Sequence, residues 1–450
     1  MPASHEHRLM VFFGLAYFAQ GLAGSLLSQP LTYYLKSTGM TADQVAQSIA
    51  MAALPWMLKP LYGLLSDFIP LLGYRRKSYL FMAAGLATIG YVCLTQLRAP
   101  GMIVGMLFLT TLGIAAGDVM VDALMVENGL KSGLIKQFQA QQWTWLHLAA
   151  MTAGLVGGWF CEIFTPVSAL HTAAFIIGCA PAVVMITTCL LVDEQKVRLE
   201  RARLRSTARD LRTAMKSKPL WIVAGFLAFW NITPGFGIPL YYYMSNDLKF
   251  DQYFIGQLTS IASVGAAIGA FVYRRYLAER ISTKRLVSLS IMLSIAMAIA
   301  HLFLVDSRSA MLLYFSGGML SMIPLLTVFA LAASVCPPHV AGFTFAALMA
   351  VYSAAAQISG IVGAHLYEQV YHQQIAPLIC TAAGFTLTAF LWVPFLPTEH
   401  HSGSTATSSG TGNRVCATTT SMSPPRHESS LCRFLTRCYT LSESGTPTIR

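Results

Sequence analysis

Charge is what this chain has least of. Only 11% of its 450 residues are Asp, Glu, Lys or Arg, against 55% hydrophobic, where a soluble domain carries roughly a quarter charged residues. Such a chain cannot clothe a water-facing surface, so a soluble fold is excluded. It also lacks paired cysteines. Of nine in total, Cys93, Cys161, Cys179, Cys189, Cys336 and Cys380 stand singly in or beside apolar runs, and Cys416, Cys432 and Cys438 fall near the C-terminus. With no C-x-x-C and no Cys/His ligand spacing, they read as small hydrophobes, and no metal or other cofactor is expected. No catalytic constellation and no soluble sensing domain is present, which argues against a membrane-embedded enzyme or receptor. An Arg/Ser-rich transit peptide and a signal-peptide cleavage pattern are missing as well, so Met10 to Leu27 is expected to stay as a first helix, and a cell inner (plasma) membrane is the expected location.

What is there instead is a series of apolar stretches of about twenty residues, the length that crosses a hydrocarbon core of roughly 30 Å. Backbone groups in lipid must be bonded within the protein, and runs this continuous exclude barrel strands. The expected fold is all-α, with twelve transmembrane helices at about 9–35, 45–66, 78–97, 102–126, 143–164, 170–192, 220–244, 254–273, 286–305, 310–335, 341–367 and 375–396. A charged stretch, Asp193 to Pro219, divides them into a six-helix bundle over 1–192 and another over 220–397. Residues 398–450 turn Ser/Thr/Gly-rich and read as a disordered cytoplasmic tail.

Lys and Arg set the orientation. With both termini cytoplasmic, 20 of the 30 basic residues fall in inside loops, nine of them in the middle stretch; four fall outside, five in the tail, and one, Lys59, inside a span. The net charge of +11 thus reports topology and an anionic bilayer, with no need of nucleic acid. An internal echo points to duplication. Gln29-Pro30-Leu31-Thr32-Tyr33-Tyr34 ends span one and Ile238-Pro239-Leu240-Tyr241-Tyr242-Tyr243 ends span seven; Asp43-Gln44 and Asp251-Gln252 then open the following spans. Two related halves around a central cavity are a common plan of secondary transporters, for which a monomer suffices.

Ionisable residues inside spans are costly and commonly functional. Span two holds Lys59 between Pro55 and Pro60 and ends in Asp67; span four holds Asp118 and Asp122, one turn apart on one face, then Glu127. The carboxylates are either a site for a proton, cation or substrate amine, or partners that lock Lys59 and loop arginines. Lys59 is either a counter-ion to them or the group that meets an anionic substrate. Asp67 with Arg75, Arg76 and Lys77 reads as a conformational latch, Glu127 joining it as a gating residue. Trp56, Trp230 and Tyr241 share helices with proline and polar residues and are the better stacking candidates; His147, His301 and His365 read as packing residues.

Three blocks, Leu54 to Asp67, Gly73 to Leu80 and Asp118 to Glu127, make this chain resemble the folate-biopterin transporter family of the major facilitator superfamily. The resemblance spans residues 10–396 in plan and is strongest in the first half. It implies a twelve-helix carrier of folates or pterins, linked to protons, with Lys59, Asp67, Arg75, Arg76, Asp118, Asp122 and Glu127 on the family's motif positions. In span eleven, where relatives often carry Asn, this chain reads Leu348-Met349-Ala350-Val351-Tyr352-Ser353. The rival reading is a muropeptide or acetyl-CoA permease of the same superfamily, which shares a span-two Leu-Pro and a span-four Asp-x-x-x-Asp-Ala.

Overall fold

The computed structural model describes residues 5–132, 134–194, 196, 214, 216–278, 280–337 and 341–397. Most of the middle stretch and all of the tail therefore lie outside the described residues. Eleven helices in the described part are long and apolar enough to cross a membrane. The seventh span completes the twelve in two pieces, Lys218–Asn231 and Gly237–Asn246. Because successive spans alternate in direction, Ser37, Ala42, Ile163, Asn246 and Gln252 share one end of the molecule, here the Lys36 end. Phe68, Ser132 and Lys218 share the other, the Asp67 end.

The tyrosine echo has a structural counterpart. Span one breaks at Leu26–Leu27 and resumes as Ser28–Ser37, and span seven resumes as Gly237–Asn246, each second piece ten residues long. Pro30 and Pro239 both occupy the third residue of their piece, in the first turn, where a missing N–H costs nothing. Each break is covered by a helix of its own half. Gly157 of span five lies against the Leu26 carbonyl, and Gly363 of span eleven against Gly235; the Gly235 N–H donates to the Ser359 carbonyl at 2.9 Å. Irregular backbone in lipid survives only when protein satisfies it in this way. Tyr34 donates to the carbonyl of Arg98, after span three, and Tyr243 to that of Leu304, after span nine. The Asp-Gln echo does not superpose: Asp251 caps span eight through the Phe254 N–H, whereas Thr41 caps span two with Gln44 completing a capping box. Residues that look alike in sequence therefore stand two positions apart relative to the starts of their helices.

Two spans start or end beyond their apolar limits. Span five begins at Ile135, not near 143. Gln141 and Gln142 face protein, Gln141 donating to the Met10 carbonyl at 2.8 Å, so their polarity marks an interior contact and not a helix end. Span four runs to Ser132 because Asn128 and Ser132 bond back to the carbonyls of Leu124 and Asn128.

The apolar packing is asymmetric between the two ends. At the Lys36 end one cluster contains residues of both halves, among them Leu31, Tyr34 and Val45 with Leu240, Tyr242 and Leu258. Towards the Asp67 end each half has its own, around Phe13, Phe138 and Leu124 in the first and Phe226, Val287 and Leu331 in the second. Cross-half hydrogen bonds concentrate on the shared side. Lys36 Nζ reaches Asn246 Oδ1 at 2.6 Å and also bonds Ser245, with its ammonium 4.9 Å from the centre of the Tyr242 ring. Gln29 Nε2 donates to the Gln252 carbonyl at 2.7 Å, the Gln252 N–H to Glu162 at 3.0 Å, and the Ala42 N–H to Glu368 at 2.8 Å. Between them, spans five and eight meet backbone to backbone: a Cβ on Gly256 would sit 2.7 Å from Gly158 Cα, and one on Gly154 2.8 Å from the Gly256 carbonyl oxygen. With lipid on the outside there is no hydrophobic gain from helix association, and close packing of small residues supplies it instead.

Candidate substrate site

Span two is where sequence and geometry part from a plain helix. It runs as Ala42–Ala53, tightens to a 3-10 segment at Leu54–Leu58, and resumes as Lys59–Phe68. Proline at 55 and 60 removes two N–H donors, so the regular ladder cannot pass through. Tyr62 donates to the Pro55 carbonyl at 3.1 Å, satisfying one of the groups this leaves. The interruption turns Lys59 towards span four, where its ammonium lies 2.6 Å from Asp118 Oδ2, and over Trp56, 4.5 Å from the ring centre. All three side chains are half-buried.

The two carboxylates of span four have different partners. Asp118 pairs with Lys59. Asp122, one turn nearer the Asp67 end, has two neutral donors instead: the Tyr17 hydroxyl and Gln142 Nε2, both 3.1 Å from Oδ1. Nothing in the sequence flagged Tyr17 or Gln142; the available signal was a glutamine pair in an otherwise apolar helix, and it read as the end of a span.

The four residues expected to gate, Asp67, Arg75, Arg76 and Glu127, come together within the first half. Asp67 Oδ1 accepts from Arg75 at 2.7 Å and Arg76 at 2.6 Å, and Arg76 also reaches Glu127 at 3.3 Å and Ser66. Arg76 is only 6% exposed, so three oxygen partners are what makes its burial affordable. Glu194, unmarked in the sequence, accepts from the backbone N–H groups of Arg75, Arg76 and Lys77 at 2.7–3.0 Å, a carboxylate on the first turn of span three. The turn itself holds Leu72 at φ 55° and Gly73 at φ 83°. The network thus braces spans two, three, four and six against one another.

Trp230 and Tyr241 stand elsewhere. Trp230 packs on Phe226 at the break in span seven, beside Asn231, whose Nδ2 donates to the Tyr352 carbonyl at 2.9 Å. Tyr241 is taken up by the shared packing at the Lys36 end, with its hydroxyl on Gln252 Oε1 at 2.8 Å. Of the span histidines, His301 bonds the Met297 carbonyl and packs on Phe236, and His147 stacks on Trp143.

Residues 20–385 match the model of the BT1 family. The chain belongs to the BT1 family. It is 29% identical to the folate-biopterin transporter of Synechocystis sp. over 84% of its own length and 79% of that protein's. With folate transporter 2 of Plasmodium falciparum it shares 22% identity over 87% of its length and 89% of the relative's. Among solved structures it resembles the nucleoside transporter NupG (TM-score 0.64, 14% identity, 88% of this chain and 100% of that one). A D-xylose-proton symporter is also similar (0.65, 12%, 88% and 99%). Identities this low show the fold, which is that of the major facilitator transporters. This BT1-family chain is a multi-pass membrane transporter and not an enzyme, as the span-two and span-four blocks imply.

Proposed function

We propose that this transporter moves folates or pterins by alternating access, in symport with protons, as a monomer in the cell inner membrane with both termini cytoplasmic. The observation that carries the substrate reading is the group at the span-two break: a flat indole, an ammonium and a carboxylate held together by Trp56, Lys59 and Asp118. A pterin offers an aromatic face for the first and a fork of N–H donors for a carboxylate, and folate adds a glutamate tail for the cation. The printed names of the Synechocystis and Plasmodium relatives support the same class. Packing shared at the Lys36 end and separate at the Asp67 end supports a cleft that opens to the Asp67 side, which the distribution of basic residues makes the cytoplasm. The stretch 193–219 is then a cytoplasmic basic loop and 398–450 a cytoplasmic tail. Binding of folate and of pteroate to the purified protein, followed by tryptophan fluorescence, tests the reading. Saturable quenching by both, with folate losing its advantage over pteroate in Lys59→Met, is expected; no quenching by either overturns it.

A further inference from the structure

The two carboxylates of span four sit in different chemical settings, and that difference is informative. Asp118 already has its counter-ion, since Lys59 Nζ lies 2.6 Å from Oδ2. Asp122 has no basic residue within salt-bridge distance among the described residues. Both of its donors converge on Oδ1, and Oδ2 accepts from no described residue. The groups facing it can be named element by element. Span one contributes Tyr17 and span five Gln142; span two contributes Lys59, which is held by Asp118. On its own helix Asp118 lies one turn towards the Lys36 end, and Glu127 lies beyond it towards the Asp67 end, engaged by Arg76. The apolar cluster behind it is built from Phe13, Leu80, Val121, Leu124 and Val184.

We propose that Asp122, positioned by Tyr17 and Gln142, is the proton-carrying site of this transporter, separate from the Lys59–Asp118 pair that meets the substrate. A proton from water on one side adds to the open Oδ2, and the same O–H bond breaks to water on the other side, so nothing but the proton changes hands. Tyr17 and Gln142 are positioning residues: they fix Oδ1 and thereby leave Oδ2 turned to the open side. With about 6 Å of helix between the two carboxylates, the charge on one is felt by the other, and this links proton and substrate occupancy.

The proposal rests on the proton-coupled reading above, and two measurements on the purified full chain separate the two. In proteoliposomes, Asp122→Asn is expected to exchange folate at the wild-type rate while accumulation driven by a pH gradient is lost, the internal folate rising no higher than the external. In infrared titration without substrate, the carbonyl band of a protonated carboxylic acid is expected in the wild type and absent in Asp122→Asn. Tyr17→Phe, which removes one donor to the carboxyl oxygen, should move that band to higher frequency, as a carbonyl with fewer hydrogen bonds absorbs. Gradient-driven accumulation at the wild-type level in Asp122→Asn would overturn the proposal, as would loss of exchange together with accumulation, or a band that survives the substitution. If the wild type exchanges no folate, the substrate reading fails while the infrared titration still decides the role of Asp122.

Discussion

Replacing Lys59 by methionine keeps most of the side chain's length and removes its ammonium from beside Asp118. At 2.6 Å and an effective dielectric of about 20, two unit charges attract by about 6 kcal/mol before desolvation is subtracted. Removing one member leaves the other as an uncompensated charge between helices, which costs about 3–5 kcal/mol. Lys59→Met should therefore lower the melting midpoint in detergent by on the order of 10 °C, and Asp118→Asn, which leaves the ammonium stranded, should do comparable damage. The double variant leaves no lone charge. It should cost no more than either single, about 3–5 kcal/mol where additive losses would sum to about 6–10, which is a coupling energy of about 3–5 kcal/mol, yet it should not bind folate, because two of the groups proposed to meet the substrate are gone. Thermal unfolding of the four proteins by tryptophan fluorescence measures this directly. Single variants with wild-type midpoints, or losses that simply add in the double, would refute the pairing.

Three further outcomes follow from the packing and the networks. Gly256→Leu must push spans five and eight apart where their backbones touch; overpacking of about 1–3 kcal/mol should cut transport while membrane insertion, followed by surface labelling, persists. Glu194→Ala removes the acceptor for three backbone N–H groups and should cost about 1–2 kcal/mol, read as a lower melting midpoint. Lys36→Ala releases the clasp on Ser245 and Asn246, so a cysteine placed at Thr32 should react faster with a membrane-impermeant thiol reagent than it does in the parent.

Much of this could be read in the sequence because lipid is an unforgiving solvent. The number of spans, their all-helical character and the two halves follow from apolar length and from the need to bond every backbone group internally. The span-two and span-four blocks led to the family, and a charged residue inside a span is rare enough that Lys59 and the two span-four carboxylates stood out, with the choice of partner left open. What could not be read was any partner chosen by three-dimensional register. Tyr17 and Gln142 meet Asp122 across 105 and 20 residues, and both look ordinary in their own helices. Glu194 sits in a charge-rich stretch where no one carboxylate stands out. For Tyr241, proline and aromatic neighbours marked a stacking candidate, and what they did not disclose is that its depth along span seven places it in the shared packing of the Lys36 end. The Asp-Gln echo shows that a repeated dipeptide is not a repeated position, since capping by Thr41 shifts the register by which span two begins.

The central claim is that this transporter carries a pterin ring past the Trp56–Lys59–Asp118 group. Its most direct test is uptake of radiolabelled folic acid by cells that express the chain, at an acidic and a neutral external pH, against an empty vector and Lys59→Met with verified membrane insertion. Uptake above vector that rises in acid, is competed by unlabelled pterin and is lost in Lys59→Met is the predicted result. Well-inserted wild-type protein that takes up no more folic acid than the vector at either pH would contradict it.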